Sequence, residues 1–391
     1  MRIPIDRDNH QPLYQQIETF LRTNITSGQL PAETRLPASR QLASELGVSR
    51  MTVERAYAEL EADGLLYSRM GSGTYTLAPP SLLTATQKKS DVSFPLWQQA
   101  LRDEDVGQLT IPLQKAASHQ IAFGSGTGDS SLFRVDEFRR LLQQTIREKG
   151  IQAFHYGDPR GYVPLRHTIA QVLTSQGLQA NPDQILMTSG SQQSLALVTQ
   201  LLLQPGDAVL VEKPTYAVAL ELFRRLKLKP IAIPMDDDGL CIEDAEKLMQ
   251  QYRPKLLYTM PTFHNPTGVC MSTPRRRQLI ALAEAYNVPI LEDDFVGDLR
   301  YEGRTQPTLK ALDTIGNVIY ISTFSKMLMP GLRTGFLLAD GPVYERLVSF
   351  KYVNDLASSS LIQHALAEYI SIGRYQTHLN RSRRIYRKRR N

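Results

Sequence analysis

Cysteine is nearly absent: Cys241 and Cys270 are the only two in 391 residues. They stand far apart and form no metal-type spacing, so no metal site is read here, and buried free thiols are expected rather than a disulfide. No run of about 18 apolar residues occurs, which excludes a membrane-spanning helix of ordinary length. The opening residues, Met1-Arg2-Ile3-Pro4-Ile5-Asp6, lack the apolar core of a secretory leader, and a cytoplasmic protein with no membrane partner is expected. Lysine is missing from the first 80 residues and acid from the last 21. Residues 1–80 hold eight arginines, no lysine and nine acids, while residues 371–391 hold eight Lys or Arg and no acid. The net charge of +6 is therefore a property of the tail, and the remaining chain is near −2. Bulk charge lends no support to DNA binding by the N-terminal part, so that case rests on local placement. The basic tail itself reads either as a nucleic-acid contact or as the solvated face of a helix.

What is present suits two or three folding units of a globular protein. Near the N-terminus, Leu13, Ile17, Phe20 and Leu21 recur at helical spacing up to Gly28. Ser39 is placed to cap a second helix through Leu46, Gly47-Val48-Ser49 makes a tight turn, and Ser49 is placed to cap a third helix with Val53, Ala56, Tyr57 and Leu60 inside. Two short helices joined by such a turn describe a helix-turn-helix. Leu65 to Ser68 and Gly73 to Leu77 then read as two strands of a hairpin wing. Pro79-Pro80-Ser81 and the polar run Thr84 to Ser90 read as a linker.

Over Gln11 to Leu77 the sequence resembles the winged helix of GntR-type transcription regulators. The matching residues include Arg35-Leu36-Pro37, Ser39-Arg40, Leu46-Gly47-Val48-Ser49-Arg50, Thr52-Val53 and Gly71-Ser72-Gly73-Thr74-Tyr75. The resemblance implies contacts with double-stranded DNA from Arg35, Arg40, Ser49, Arg50 and Thr52, with Gly71 and Gly73 approaching the minor groove. Met51 and Glu54 depart from residues found in some members, so no operator sequence transfers.

Beyond Ile121 strands and helices alternate. The apolar runs 184–188, 208–211, 255–259, 289–292 and 318–321 predict an α/β sheet with helices on both faces. Polar groups follow these strands, where open α/β sheets hold their ligands. After the run 318–321 come Thr323, Ser325, Lys326 and Arg333. A desolvated lysine deprotonates more easily and its amine condenses with an aldehyde, while the hydroxyls and the guanidinium suit a phosphate. That grouping suggests pyridoxal 5'-phosphate. Ser191 and Gln192 open a helix, expected near Ser194, whose free amides suit the phosphate. Tyr216 offers a ring to stack on the cofactor. Asn265 offers an amide to its phenolic oxygen, and Glu292-Asp293-Asp294 at the end of another strand offers a carboxylate to its pyridine nitrogen.

In this order the residues resemble fold-type I, aspartate-aminotransferase-like enzymes from about Ile121 onward. The likeness implies an internal aldimine at Lys326, Asp293 on the pyridine nitrogen, Asn265 on the phenolic oxygen and Tyr216 on the ring face. Ser191, Gln192, Thr323, Ser325 and Arg333 would hold the phosphate, joined by Tyr156 from a second subunit. Ordinary packing remains the alternative for Tyr156 and Tyr216.

A winged helix joined to such a domain resembles the MocR branch of the GntR regulators. The expected architecture is multidomain α/β: a winged helix-turn-helix at residues 1–78, a linker and lead-in at 79–118, and at 119–391 a fold-type I domain with a mostly parallel central sheet. Relatives carry a further C-terminal segment with a carboxylate-gripping arginine, and the small subdomain is expected to be incomplete in the sequence given. The expected function is a dimeric, cofactor-dependent transcription regulator that senses pyridoxal phosphate, a primary-amine effector, or both through Lys326. The rival is an aminotransferase with an accessory winged helix, since Asp293 and Lys326 permit residual transamination. Keto-acid release over many turnovers distinguishes the rival.

Many members of the branch place a tyrosine after the Asp-Asp pair as a donor to the phenolic oxygen, whereas Phe295 stands there in this chain. Loss of one donor is expected to alter the pKa of the Lys326-bound cofactor. An absorbance titration should differ between the natural chain and Phe295→Tyr, and superimposable curves would remove the idea.

Overall fold

A computed structural model describes residues 3–7, 11–69, 72–77, 126 and 128–391. Gly71 and the whole of the expected linker and lead-in, residues 79–118, lie outside the described residues. The chain divides into two compact units, Met1–Lys115 and Ala116–Asn391.

The first unit contains helices α1 (Leu13–Thr26), α2 (Ser39–Leu46) and α3 (Arg50–Ala62), then strands β1 (Leu66–Arg69) and β2 (Gly73–Thr76). Helical spacing puts Ile17, Leu21 and Ile25 on one face of α1, where they are buried against Leu42, Val53, Ala56 and Leu60. Burial of each such side chain contributes about 1.5–3 kcal/mol. The turn between α2 and α3 needs a left-handed residue, and Gly47 supplies it with φ 61°. Ser49 caps α3, its side chain accepting from the Thr52 amide at 3.1 Å. The cap expected at Ser39 differs. Ala38 occupies the cap position, and Ser39 is the first helical residue because its hydroxyl is drawn across to Glu54 Oε1, 3.3 Å away on α3. The wing is antiparallel, with Tyr67 opposite Tyr75 and their rings stacked at 5.7 Å.

The second unit is built on an eight-stranded sheet in the order β3-β10-β9-β8-β7-β4-β5-β6. Its strands are β3 (Ile185–Thr188), β4 (Ala208–Lys213), β5 (Lys229–Asp236), β6 (Gly239–Leu240), β7 (Leu256–Thr259), β8 (Ile290–Asp294), β9 (Val318–Thr323) and β10 (Gly335–Leu338). Neighbours from β5 through β4, β7 and β8 to β9 are parallel. β10 runs antiparallel between β9 and β3, and β6 antiparallel to β5. All five expected strands are present, and β5, β6 and β10 are additional.

Side-chain alternation gives the sheet two apolar faces. On β3, Ile185 and Met187 pack with the helices Val135–Lys149, Val163–Ser175 and Ser360–Ser371, while Leu186 packs with Ser191–Leu202, Ala217–Arg225 and Pro342–Asp355. The helix expected near Ser194 begins at Ser191, because Gly190 turns the chain at φ 116° directly after β3. The C-terminal helical region breaks at Gly373 and continues as Arg374–Arg390. Both cysteines are free and half-buried rather than fully buried. Among the described residues no helix is long and apolar enough to cross a membrane.

β10 passes very close to the start of that helix. A Cβ on Gly335 would lie 2.8 Å from both the Gly190 Cα and the Ser322 carbonyl oxygen. Gly335→Ala is therefore expected to destabilise the large unit by about 1–3 kcal/mol through overpacking. Gly331→Ala, with nothing within 4 Å of its added carbon, should leave the urea midpoint unchanged. Equal midpoints for the two variants would contradict the packing argument.

Candidate functional site

Strands β3, β4, β7, β8 and β9 all run in one direction, so their C-terminal ends lie along one edge of the sheet. β9 ends at Thr323 and continues into a single helical turn, Phe324–Met327, that carries Lys326. Thr323 Oγ1 accepts from the Ser325 amide at 3.1 Å and fixes the start of that turn. Lys326 is half-buried, and burial first, then the charge of Arg333, lower the pKa of its ammonium group.

Arg333 precedes β10 in a left-handed conformation, φ 43°. Its guanidinium lies over Gly190, where a Cβ would stand 3.0 Å from Nη2. A cation thus sits beside the first turn of the helix containing Ser191 and Gln192, whose amides have no helical acceptor. Ser325 Oγ, also in the turn of Lys326, is buried without a hydrogen-bond partner among the described residues.

Asp293 is buried at the end of β8. Tyr258 donates to its Oδ2 at 3.0 Å, while Oδ1 is buried with no partner among the described residues. Its pKa is raised to about 7: burial is the main cause, Asp294 and Glu212 add to it, and Tyr258 opposes it. Tyr216 follows β4 and is half-buried. Burial raises its phenol pKa, Asp293 adds to the rise and Arg333 opposes it, so the ring lies within the fields of both.

Asn265 lies in the loop after β7. That loop is closed by the Gly268 amide donating to the His264 carbonyl at 2.6 Å and the His264 amide donating to Val269 at 2.9 Å. From beneath, the buried guanidinium of Arg276 donates to the Pro261 carbonyl at 2.6 Å and Thr262 Oγ1 at 2.9 Å. Glu212 braces the same region, accepting from Thr259 Oγ1 at 2.6 Å and the Met260 amide at 3.0 Å. Its Oε2 is 3.2 Å from His264 Nε2, without hydrogen-bond alignment.

The structure therefore brings Arg333 into electrostatic range of both Lys326 and Tyr216, brings Tyr216 into range of Asp293, and places Ser191, Gln192, Thr323, Ser325 and Asn265 at the same strand ends. Tyr156 stands apart at 82% exposure. Tyr258, Glu212 and Arg276 were missed as contributors. Tyr258 sits in an apolar run with its hydroxyl as the only signal, and Arg276 is one of three successive arginines. As a test of fit, the unpaired buried oxygen of Asp293 suits a protonated ring nitrogen, and the helix start with Arg333 suits a phosphate. The residues fit pyridoxal 5'-phosphate.

On the first unit, Ser49, Arg50 and Thr52 occupy the start of α3, with Ser49 Oγ and Thr52 Oγ1 2.7 Å apart. Arg50 Nε donates to Glu54 Oε1 at 2.7 Å, and Met51 is 79% exposed beside it. Arg40 is exposed on α2. Arg35 lies over Gly73 at the base of the wing, with Nε 3.1 Å from where a Cβ would stand.

Residues 13–76 match the bacterial regulatory proteins, gntR family, and residues 118–391 match aminotransferase class I and II. The chain is 34% identical to the probable rhizopine catabolism regulatory protein MocR of Rhizobium meliloti, over 98% of this chain and 77% of that one. It belongs to the MocR-type branch of the GntR transcription regulators. An uncharacterized HTH-type transcriptional regulator of Bacillus subtilis, YisV, is 35% identical over 98% of this MocR-type chain and 79% of its own length. Among solved structures it is similar to the α-aminoadipate aminotransferase LysN of Thermus thermophilus, at 33% identity and TM-score 0.65 over 68% of each chain. It is also similar to a kynurenine aminotransferase of Pyrococcus horikoshii, at 32% identity and TM-score 0.67 over 80% of this chain and 76% of that one. This MocR-type chain is thus an HTH-type regulator with a DNA-binding fold and a pyridoxal-phosphate-binding fold.

The raised pKa of Asp293 has a stability consequence. A carboxyl at about 7 in the folded chain and about 3.9 unfolded costs stability above pH 7, and the cost fades as pH falls toward 4. Without cofactor, Asp293→Asn should melt higher than the natural chain at pH 8, by an amount on the order of a few kcal/mol. That gain should shrink through pH 6 and 5 in calorimetry, and equal melting at pH 8 would contradict the assignment.

Proposed function

We propose that this regulator binds pyridoxal 5'-phosphate at the strand ends and couples its occupancy, and that of a primary-amine effector, to DNA binding. The observation that carries the reading is a desolvated lysine beside a guanidinium and a helix start, with an unpaired buried carboxyl oxygen nearby. When bound, the cofactor supplies an aldehyde and an electron-withdrawing ring. Lys326 provides the amine, and burial together with the charge of Arg333 lowers its pKa, which favours the nucleophilic free form. Asp293 holds a proton at the ring nitrogen, Tyr216 stacks on the ring, and Asn265 donates to the phenolic oxygen. Ser191, Gln192, Thr323, Ser325 and Arg333 hold the phosphate.

The protein is read as a cytoplasmic homodimer, with Tyr156 serving the partner's phosphate site. The exposed apolar side chains of Ile151 at 73% and Phe154 at 60%, beside Tyr156, support an interface there. Residues 1–78 form the DNA-binding domain, 79–118 the linker and 119–391 the sensing domain. Arg35, Arg40, Ser49, Arg50, Thr52, Gly71 and Gly73 would contact DNA, supported by the place of Ser49, Arg50 and Thr52 at the start of α3. Coupling is reciprocal: an effector that favours the DNA-competent state binds more tightly when DNA is present. Asp293 and Lys326 are also the pair that transamination uses, and keto-acid release over many turnovers would assign the chain to catalysis instead.

The test is binding to the DNA upstream of its own gene at fixed salt, with and without pyridoxal phosphate, for the natural chain and Lys326→Ala. Affinity should change about 5-fold or more with cofactor in the natural chain and stay constant in the variant. Specific binding indifferent to the cofactor, or a response that survives Lys326→Ala, would overturn the proposal.

A further inference from the structure

A cavity of about 280 Å³ opens against Lys326, and its walls carry chemistry that the cofactor residues do not explain. Phe263, Val296, Leu299, Tyr301 and Tyr386 line it together with Lys326, and Gly126 and Gly128 complete the described wall. Among the described residues of that wall, Lys326 is the only charged side chain. Asp293, Tyr216, Asn265 and Arg333 are not among its described lining residues.

Each wall residue is held with its apolar body available. Phe263 adopts φ 52°, a conformation a bulky residue rarely takes, in the loop that also presents Asn265. The Arg300 guanidinium stacks over the Phe263 ring at 4.5 Å, and Nη2 donates to Cys270 Sγ at 3.4 Å. Val296 and Leu299 come from the segment after β8, where the chain turns at Gly297–Leu299. The Tyr386 hydroxyl accepts from the Asp129 amide at 2.9 Å, so its polar tip already has a partner. Arg390 covers the Tyr301 ring at 5.5 Å. The glycines leave room beside the amine: a Cβ on Gly126 would lie 3.9 Å from Lys326 Nζ, and one on Gly128 would lie 3.1 Å from the Tyr386 hydroxyl.

We infer that the effector is a primary amine with an apolar, ring-sized body seated among Phe263, Val296, Leu299 and the two tyrosines, and that its nitrogen replaces the Lys326 nitrogen on the cofactor's aldehyde carbon and releases the lysine as the free amine. The inference rests on the cofactor reading above and adds the class of amine. A wall of aromatic edges and branched aliphatics gains by covering apolar surface, and among its described lining residues only Lys326 carries a charge.

The test uses the full chain loaded with pyridoxal phosphate, with calorimetric titration of 2-phenylethylamine, ethanolamine and 4-aminobutyrate, and cofactor absorbance recorded beforehand. The expected result is binding of 2-phenylethylamine about 10-fold or more tighter than either polar amine. Val296→Asp should abolish that preference. Val296→Thr, nearly the same shape with a hydroxyl in the wall, should reduce it and serves if the aspartate variant fails to fold. Equal affinity for the three amines in a chain that carries the cofactor overturns the inference and leaves the cofactor reading standing, as does a preference unmoved by Val296→Thr. A chain that shows no cofactor absorbance at Lys326 overturns both.

Discussion

The close approach of two glycine backbones holds the large unit's site together. Gly335 opens β10 opposite Thr188 of β3 and Thr323 of β9, so near Gly190 that a Cβ on Gly335 would lie 2.8 Å from the Gly190 Cα. Because β10 is antiparallel to both neighbours, the residues just before it arrive where β3 and β9 end. Arg333 is thereby delivered over Gly190, beside the start of the helix Ser191–Leu202, and Lys326 follows from the end of β9. One backbone contact governs the spacing of an amine, a guanidinium and a helix start.

Around that contact the unit gathers an unusual density of buried acid. Glu212, Glu292, Asp293 and Asp294 are all buried at neighbouring strand ends. Burying a carboxylate costs several kcal/mol unless its oxygens are answered. Glu292 accepts from the amides of Leu309 and Lys310, both at 2.8 Å, and Asp294 accepts from Tyr320 and from the Gly297 amide, both at 2.9 Å. Glu212 is answered by Thr259 and Met260. Asp293 alone of the four retains a buried oxygen without a partner among the described residues. The electrostatic imbalance of the cluster is concentrated at one atom, where a cationic ring nitrogen would relieve it.

Much of this arrangement was legible in the residues. Strands buried on both faces read as unbroken apolar runs, and five of the eight announced themselves that way, each followed by the polar groups that mark a strand-end site. The helix-turn-helix was legible for similarly local reasons, since Gly47 and Ser49 act within a few residues of their own positions. Other elements escaped because their cause is remote or their local signal is contrary. β5 carries Pro230 and Pro234, which weigh against a strand, and β10 is only four residues long. Arg276 reads as one surface charge in Arg275-Arg276-Arg277, yet it is fully buried because four backbone and side-chain acceptors converge on it.

The sequence by itself determined the two folds, the order of strands and site residues along the chain, and the chemistry of an amine, a carboxyl and a phosphate cradle. These follow from periodicity and from residue type, which act over short distances. Only the tertiary structure decided which oxygen of Asp293 lacks a partner, which arginine of three is buried, and which apolar side chains wall the space beside Lys326. Those facts depend on residues far apart in the chain, such as Phe263 and Tyr386, being brought together by packing on a common sheet.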